Sequence, residues 1–402
     1  MHVNIIGLSI PLFIGLILLE FFISKKRGLQ YFNLHRSIAN VSIGIAERLT
    51  DVFIAGIFYF IYDKIQRSYG LFTIKPGVLL WIVLFILTDF IWYWYHRKAH
   101  EINLFWAAHI VHHQSEDFNY TASTRITIFQ ALIRTGFWSI LPFIGFPASM
   151  ITSLLLVHGV YPFFIHTRLV GKLGILEYIF VTPSHHRVHH GSDEKYLDKN
   201  YGDVLIIWDK IFGTFKKEEE EPTYGLTKPL NSYSFLWQHF HFPIELWLAV
   251  RNTKGFKNKI RVIFSPPSTI DPTLRKKAET IFSIHQVDAP IAKPLNRYVI
   301  WQMIILLTGL TVFIVFENYL SGSLKIGFAV TTILTLVNCG AIMEQKQWIF
   351  LVEFLRLSVL MLFVFYSYSF WQWKLACISS VLLILIYYYS RIRRNYLAYV
   401  YR

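Results

Sequence analysis

The sequence predicts an all-α, polytopic integral membrane protein with a helical cap that carries its chemistry. Three observations carry this reading. Of 402 residues, 54% are hydrophobic and only 16% charged, with a mean hydropathy of +0.41, whereas a soluble domain carries about 25% charged residues. Apolar runs of membrane-spanning length recur along the whole chain. Of the 16 histidines, eight fall in two short stretches, each beside an apolar run.

Taken in order, residues 3–23 form an apolar run that ends at Lys25-Lys26-Arg27. A secretory leader carries its positive charge before the apolar run. Here it follows, so the run reads as a retained anchor whose C-terminal end is cytoplasmic. Residues 37–62 are a second apolar stretch carrying Asn40, Glu47, Arg48 and Asp51. These charges read as an interior ion pair or as the mark of an interfacial helix. Residues 77–95 are a strong span with Asp89 in its second half. An aromatic belt, Trp92 to Tyr95, sits where the first histidines begin.

Residues 114–125 read as a polar loop. Residues 126–144 and 148–164 read as an apolar helical hairpin around Gly145-Phe146-Pro147, with His158 and His166 about two turns apart on one face. Residues 202–215 are amphipathic and aromatic. The charge run 216–221 (KKEEEE) reads as a solvated loop. Residues 223–272 look soluble in character, include His239 and His241, and are broken at Pro266-Pro267. Four apolar stretches follow at 298–316, 325–343, 348–368 and 371–390, and no histidine occurs after His285. This divides the chain into a histidine-bearing part, 1–285, and a C-terminal membrane module, 286–402.

The net charge of +14 does not call for nucleic acid. Lys and Arg gather beside apolar segments, where cytoplasmic loops and anionic headgroups account for them. The two cysteines, Cys339 and Cys377, lie far in sequence from the histidines. They suggest neither a disulfide framework nor a thiolate metal site, which argues against a haem-thiolate oxygenase.

The histidines are spaced as ligands. His96 and His100 are four apart; His109, His112 and His113 follow at i, i+3 and i+4, a pattern repeated by His186, His189 and His190. On a helix these spacings share one face, so each cluster is expected to aim at a common point. Eight nitrogens exceed the four that one structural zinc takes, and two metal ions side by side are the economical reading. Imidazole suits zinc, copper, iron and nickel. Iron in a dinuclear centre at the bilayer edge would suit oxidation of an apolar substrate entering sideways.

Two other classes stand beside this. A metal transporter or metal-binding membrane protein would place its ligands near mid-membrane, whereas these boxes adjoin charged loops at 114–117 and 192–200. A bis-histidine haem protein needs one axial pair per haem and leaves most of the histidines unused.

The order HxxxH (His96, His100), HxxHH (His109, His112, His113) and HxxHH (His186, His189, His190) resembles the fatty acid hydroxylase/sterol desaturase superfamily of membrane di-iron oxygenases. Within it, HRKAHEINLFWAAHIVHHQSEDFNYT, TPSHHRVHHG and DKNYGDVLIIWDKIFGTF look like the alkylglycerol (glyceryl-ether) monooxygenase family. The likeness is strong over 90–265 and weak after 290. It implies that the eight box histidines ligate two ferrous ions and that His166, at a further family histidine position, completes the set. It implies that Glu101, beside the first box, is catalytically needed, and that the histidine-bearing cap lies on the cytoplasmic side, a point that the charge flank leaves open because 37–62 reads either as a span or as an interfacial helix.

The reaction so implied uses dioxygen and electrons from a tetrahydropterin. It hydroxylates the ether-bearing carbon of an alkylglycerol, and the hemiacetal collapses to a fatty aldehyde and a glycerol derivative. The alternative within the superfamily is a hydroxylase or desaturase of a sterol, carotenoid or fatty acyl chain. No pterin signature and no Gly-rich dinucleotide fingerprint is present. Asn119, Tyr120, Asn200 and Tyr201 are candidate pocket residues. His185 is a candidate for supporting a ligand; His158 stands where the family has asparagine; His239 and His241 read as core or surface.

Overall fold

A computed structural model of the protein describes residues 4–284, 291–368 and 371–400. Among these the regular elements are helices; the β-type pairings are isolated bridges, Phe180 with Leu205 and Gly191 with Tyr224. Five helices are long and apolar enough to cross a membrane: Ile6–Lys26, Val78–Glu101, Ala148–Ile165, Lys293–Val315 and Gly322–Met343. The chain is an integral membrane protein.

The described chain divides into two compact units. One comprises Ile5–Leu230 and Trp237–Ile284; the other comprises Asn4, residues 231–236 and the described residues from 291 on. The boundary expected at 285/286 lies outside the described residues.

In the histidine-bearing unit, α1 (Ser9–Lys26) and α2 (Leu34–Tyr69) come first. The Asn33 side chain starts α2 by accepting from the His35 and Arg36 amides at 3.0 and 3.2 Å, satisfying donors that the helix itself leaves open. Within α2, Arg48 bridges Glu47 at 2.7 Å and Asp51 at 3.0 Å. The charges in this apolar stretch are therefore paired with one another. Helix α3 (Val78–Glu101) runs on without a break from the apolar span into the first histidine pair.

The expected hairpin is realised with a divided first limb. Its pieces are α5 (Gln130–Trp138) and α6 (Ile140–Ile144), after the short helix α4 (Asn103–His109); α7 (Ala148–Ile165) is the second limb. Gly145 makes the turn between α6 and α7. Its φ is +125°, and a Cβ there would lie 2.0 Å from the Phe72 carbonyl oxygen. Only glycine admits both the dihedral and this approach. Tyr62, Leu84, Trp92, Tyr95, Trp138, Leu141, Phe146 and Ile151 form the apolar core joining α2, α3 and α5–α7.

The remaining helices of this unit are α8 (Pro183–His189), α9 (Ile207–Ile211), most of α10 (Phe235–Asn252), α11 (Phe256–Phe264) and α12 (Thr273–Ile281). Asp89 explains how an irregular segment is held against α3. Its carboxylate accepts from the Val204 and Leu205 amides at 3.0 and 3.2 Å and from Trp208 Nε1 at 2.8 Å. A buried carboxylate with three donors is satisfied.

The other unit contains α13 (Lys293–Val315), α14 (Gly322–Met343), α15 (Ile349–Tyr368) and α16 (Trp371–Val400). A buried polar network joins the first three. Arg356 donates to Glu353 at 2.6 and 2.9 Å, to Thr335 at 2.6 Å and to Gln302 at 3.0 Å.

Candidate metal centre

The site is assembled from the ends of helices. His96 and His100 occupy the last turns of α3, and His109 ends α4. His112 and His113 lie on the following 3-10 turn Ile110–Gln114. His166 is the first residue after α7. His186 and His189 are on α8 and His190 caps it. Helix α8 starts with Pro183 after a Thr182–His185 capping box, a sequence pattern suited to a short helix entering a buried site. His185 thus serves the start of α8 and is not in either focus.

The histidine nitrogens converge on two foci. His96, His100, His109, His113 and His189 form one; His112, His166, His186 and His190 form the other. This corrects the expectation that each box aims at one point. His109 and His113, at i and i+4, stay together, while His112 between them turns to the other focus. In the third box His186 and His190 stay together and His189 departs. Each HxxHH box therefore serves both foci. The foci are adjacent, since the His113 and His190 rings stack with centroids 4.4 Å apart.

The nitrogen spacing fits shared ions. In the four-histidine focus, Nε2–Nε2 distances are 3.0 Å for His186–His166, 3.1 Å for His190–His112, 3.2 Å for His166–His190 and 3.3 Å for His166–His112. In the other focus, His96–His109 is 3.0 Å and His113–His109 is 3.2 Å. Two nitrogens each about 2.1 Å from one ion and at right angles to it are about 3.0 Å apart. The Nε2 atoms of His100 and His189 are buried without a hydrogen-bond partner, as ligand atoms turned toward an ion would be.

Four of the opposite ring nitrogens are held by backbone carbonyls, whereas the Nδ1 atoms of His109 and His186 are buried without a hydrogen-bond partner. His96 Nδ1 bonds the Tyr201 carbonyl at 2.8 Å, His189 Nδ1 that of Lys199 at 2.9 Å and His112 Nδ1 that of Arg125 at 3.2 Å. His166 Nδ1 bonds the Pro162 carbonyl at 2.5 Å. A carbonyl can only accept, so Nδ1 carries the proton and the Nε2 lone pair faces the focus. Burial, reinforced by neighbouring imidazoles, pushes His109, His112, His113, His186, His189 and His190 well below the usual histidine range. Burial takes His166 down to about 4. The rings are neutral at neutral pH, the form that binds metal.

Glu101 does not join either focus. Its carboxylate accepts from Arg97 Nε at 2.8 Å and from Lys98 Nζ at 2.6 Å and is partly exposed. Asn119 is buried and donates to the Tyr31 carbonyl at 2.7 Å. Tyr120 stacks on Phe163 with ring centroids 4.6 Å apart. His239 is buried. His241 is buried between Gln114 at 2.8 Å and Glu245 at 3.0 Å.

His158 lies apart from His166, with Asp89 and Asp203. Its Nδ1 is 2.7 Å from Asp203 and 3.8 Å from Asp89. The sequence reading also missed Glu218. It belongs to the run taken for a solvated loop, yet it is buried. It accepts from Arg187 Nε at 2.6 Å and Nη2 at 2.7 Å. The available signal was Arg187 itself, a cation inside a histidine box that needs a counter-charge once buried.

Comparison with known proteins follows the same lines. The fatty acid hydroxylase domain matches residues 81–214, the stretch that holds all nine histidines of the two foci. Human alkylglycerol monooxygenase is 36% identical over 363 residues, 88% of this chain and 81% of that protein. The Danio rerio protein of the same name is 32% identical over 89% of this chain and 82% of its own length. Human lathosterol oxidase is 28% identical over 38% of this chain. No solved structure matches the chain. With the helical membrane fold and the paired histidine foci, these relations show that the chain belongs to the alkylglycerol monooxygenase family, within the fatty acid hydroxylases, and is an oxygen-dependent oxidoreductase.

Proposed function

We propose that the chain hydroxylates the ether-bearing carbon of alkylglycerols at a di-iron centre held by His96, His100, His109, His112, His113, His166, His186, His189 and His190. The observation that carries this is the convergence of nine buried histidines on two adjacent foci. Imidazole donors suit zinc, copper, iron and nickel alike, and membership of the fatty acid hydroxylases supports iron among them. Two iron ions held there would supply oxygen activation and oxidation of the C–H bond beside the ether oxygen. The protein's part is to hold neutral imidazoles with their Nε2 atoms inward and to keep bulk water from the foci. All nine rings are wholly or largely buried, and the helix-end position brings an alkyl chain from the bilayer to the site.

Oxygen transfer to the ether carbon gives a hemiacetal, which breaks its C–O bond to a fatty aldehyde and a glycerol derivative. Electrons come from a tetrahydropterin that binds without a motif of its own in the sequence. Glu101 enters as a positioning residue. Its pairs with Arg97 and Lys98 lie within the last turn of α3 and fix the turn that carries His100.

The site faces the cytoplasm. The Lys25-Lys26-Arg27 flank puts the end of α1 on that side; this placement needs α2, which is 36 residues long but not among the five apolar spans, to cross together with α3. The histidine-bearing part, 1–285, is the catalytic domain, and 286–402 is a C-terminal membrane module.

The test is product analysis with iron-loaded protein in detergent, tetrahydropterin and oxygen, offered an alkylglycerol, a sterol and a fatty acid in parallel. Fatty aldehyde from the alkylglycerol alone, absent in His113→Ala, is the expected result. Hydroxylated sterol or acyl product without aldehyde would move the substrate to the other branches of the superfamily.

A further inference from the structure

The segment 198–201 touches three ligands of one focus and none of the four in the other. His100 Nδ1 lies 3.3 Å from the Asp198 carboxylate. His189 Nδ1 bonds the Lys199 carbonyl at 2.9 Å, and His96 Nδ1 bonds the Tyr201 carbonyl at 2.8 Å. The Tyr201 ring then packs against the same three imidazoles, with centroids 5.8 Å from His96, 5.2 Å from His100 and 5.9 Å from His189. The corresponding acceptors of His112 and His166 come from elsewhere, the Arg125 and Pro162 carbonyls.

The segment has an unusual backbone that makes these contacts possible. Asp198 and Asn200 have φ of 57° and 55°, the left-handed region that Asp and Asn tolerate better than most residues. Asn200 is fully buried and pins the turn. Its Nδ2 donates to the His185 and Lys216 carbonyls at 3.1 and 2.8 Å, and its Oδ1 accepts from the Lys216 amide at 2.8 Å. Asp209 fixes the far end by accepting from the Tyr201 and Gly202 amides at 2.7 and 2.8 Å. With Asp198 and Asn200 left-handed, the Lys199 and Tyr201 carbonyls both meet ring nitrogens of the same focus, and the Asn200 and Asp209 side chains hold the turn.

We infer that segment 198–201 is an orienting clamp for the five-histidine focus, with Asp198 as a positioning residue that sets the ring of His100. The inference rests on the reading of the histidines as iron ligands. Asp198 brings a charged acceptor, and Lys199 and Tyr201 bring backbone carbonyls. Outer acceptors of this kind fix the imidazole proton and strengthen the ligating nitrogen. The two irons are therefore held unequally, and a change in the clamp acts on one of them.

The test compares the full chain in detergent, loaded with ⁵⁷Fe, with Asp198→Ala and Asp198→Asn. The Asp198 side chain is 70% exposed, so its removal leaves no core cavity. Iron per chain and the Mössbauer spectrum are followed as a chelator is titrated. Asp198→Ala is expected to weaken one iron by about 10–100-fold. It then keeps about one iron where the native chain keeps two, with the spectrum of the remaining iron unchanged. Asp198→Asn, which still offers an acceptor oxygen, is expected to lie between the two.

A native chain holding two irons beside an Asp198→Ala variant of unchanged affinity and spectrum overturns the clamp alone. Loss of both irons together from that variant also overturns it. A native chain that holds no iron overturns the clamp together with the ligand reading.

Discussion

Removing the Glu218 carboxylate isolates the cost of one buried ion pair inside a histidine box. In Glu218→Ala the Arg187 guanidinium loses two charge-assisted bonds, of 2.6 and 2.7 Å. It keeps only the carbonyls of Thr167 at 3.0 Å and Val170 at 2.8 Å. The two side chains are 7% and 11% exposed, so water screens the pair little and cannot replace the lost partner. Hydrogen bonds to charged groups contribute about 1.5–3 kcal/mol each, and breaking a buried pair from one side costs about 3–5 kcal/mol. The lower figure already changes the folded-to-unfolded ratio by more than about 100-fold. Because Arg187 links α8 to the chain just after His166, the loss falls on the walls of the four-histidine focus.

The assay is reversible unfolding in mixed micelles, with hydrogen exchange across 182–191 reporting local opening. Glu218→Ala should lose about 3–5 kcal/mol. The double variant Arg187→Met/Glu218→Leu should recover much of it, since no charge is left buried and unpaired. A single variant within about 0.5 kcal/mol of the native chain, or a double variant worse than the single one, would refute the reasoning.

Gly145→Ala should lower the melting temperature, since a positive φ on a residue with Cβ costs about 1–3 kcal/mol before the clash with Phe72 is counted; an unchanged melt would contradict the turn described. Glu101→Gln should reduce turnover while changing stability by less than about 1 kcal/mol, as expected for partly exposed pairs. Native activity in that variant would remove Glu101 from the machinery.

Acid should destabilise the metal-free protein. Below pH about 6.5 the unfolded chain takes up protons that the depressed cluster histidines refuse, so stability rises with pH and falls on acidification. Melting of chelator-treated protein at pH 7.5 and pH 5 checks this, and a flat profile would show that these rings accept protons in place.

The spacing of the histidines was legible because it repeats at helical intervals beside apolar runs, and the residues so marked are the ones that converge. Their division between two foci was not legible. Periodicity tells which face a side chain occupies, whereas the choice between two neighbouring points depends on the 3-10 turn after His109 and on the short helix α8. Glu218 was hidden because a run of like charges reads as solvated until the fold brings Arg187 to one member of it. Asp89 was visible as a lone acid in a spanning run, but its donors come from residues 204–208, more than a hundred positions later. The clamp at 198–201 carries no signal at all at the level of composition, since two of its three acceptors to the histidines are backbone carbonyls.

The central claim is that nine histidines hold two irons, and counting iron in single-ligand variants tests it most directly. Anaerobically purified, reconstituted chain should hold about two irons. His109→Ala and His112→Ala are one turn apart in sequence but on different foci, and each should lose one iron, with different Mössbauer signatures for the iron that remains. A native chain that saturates at one iron, or two variants that leave the same iron behind, would contradict the five-and-four division and the di-iron reading built on it.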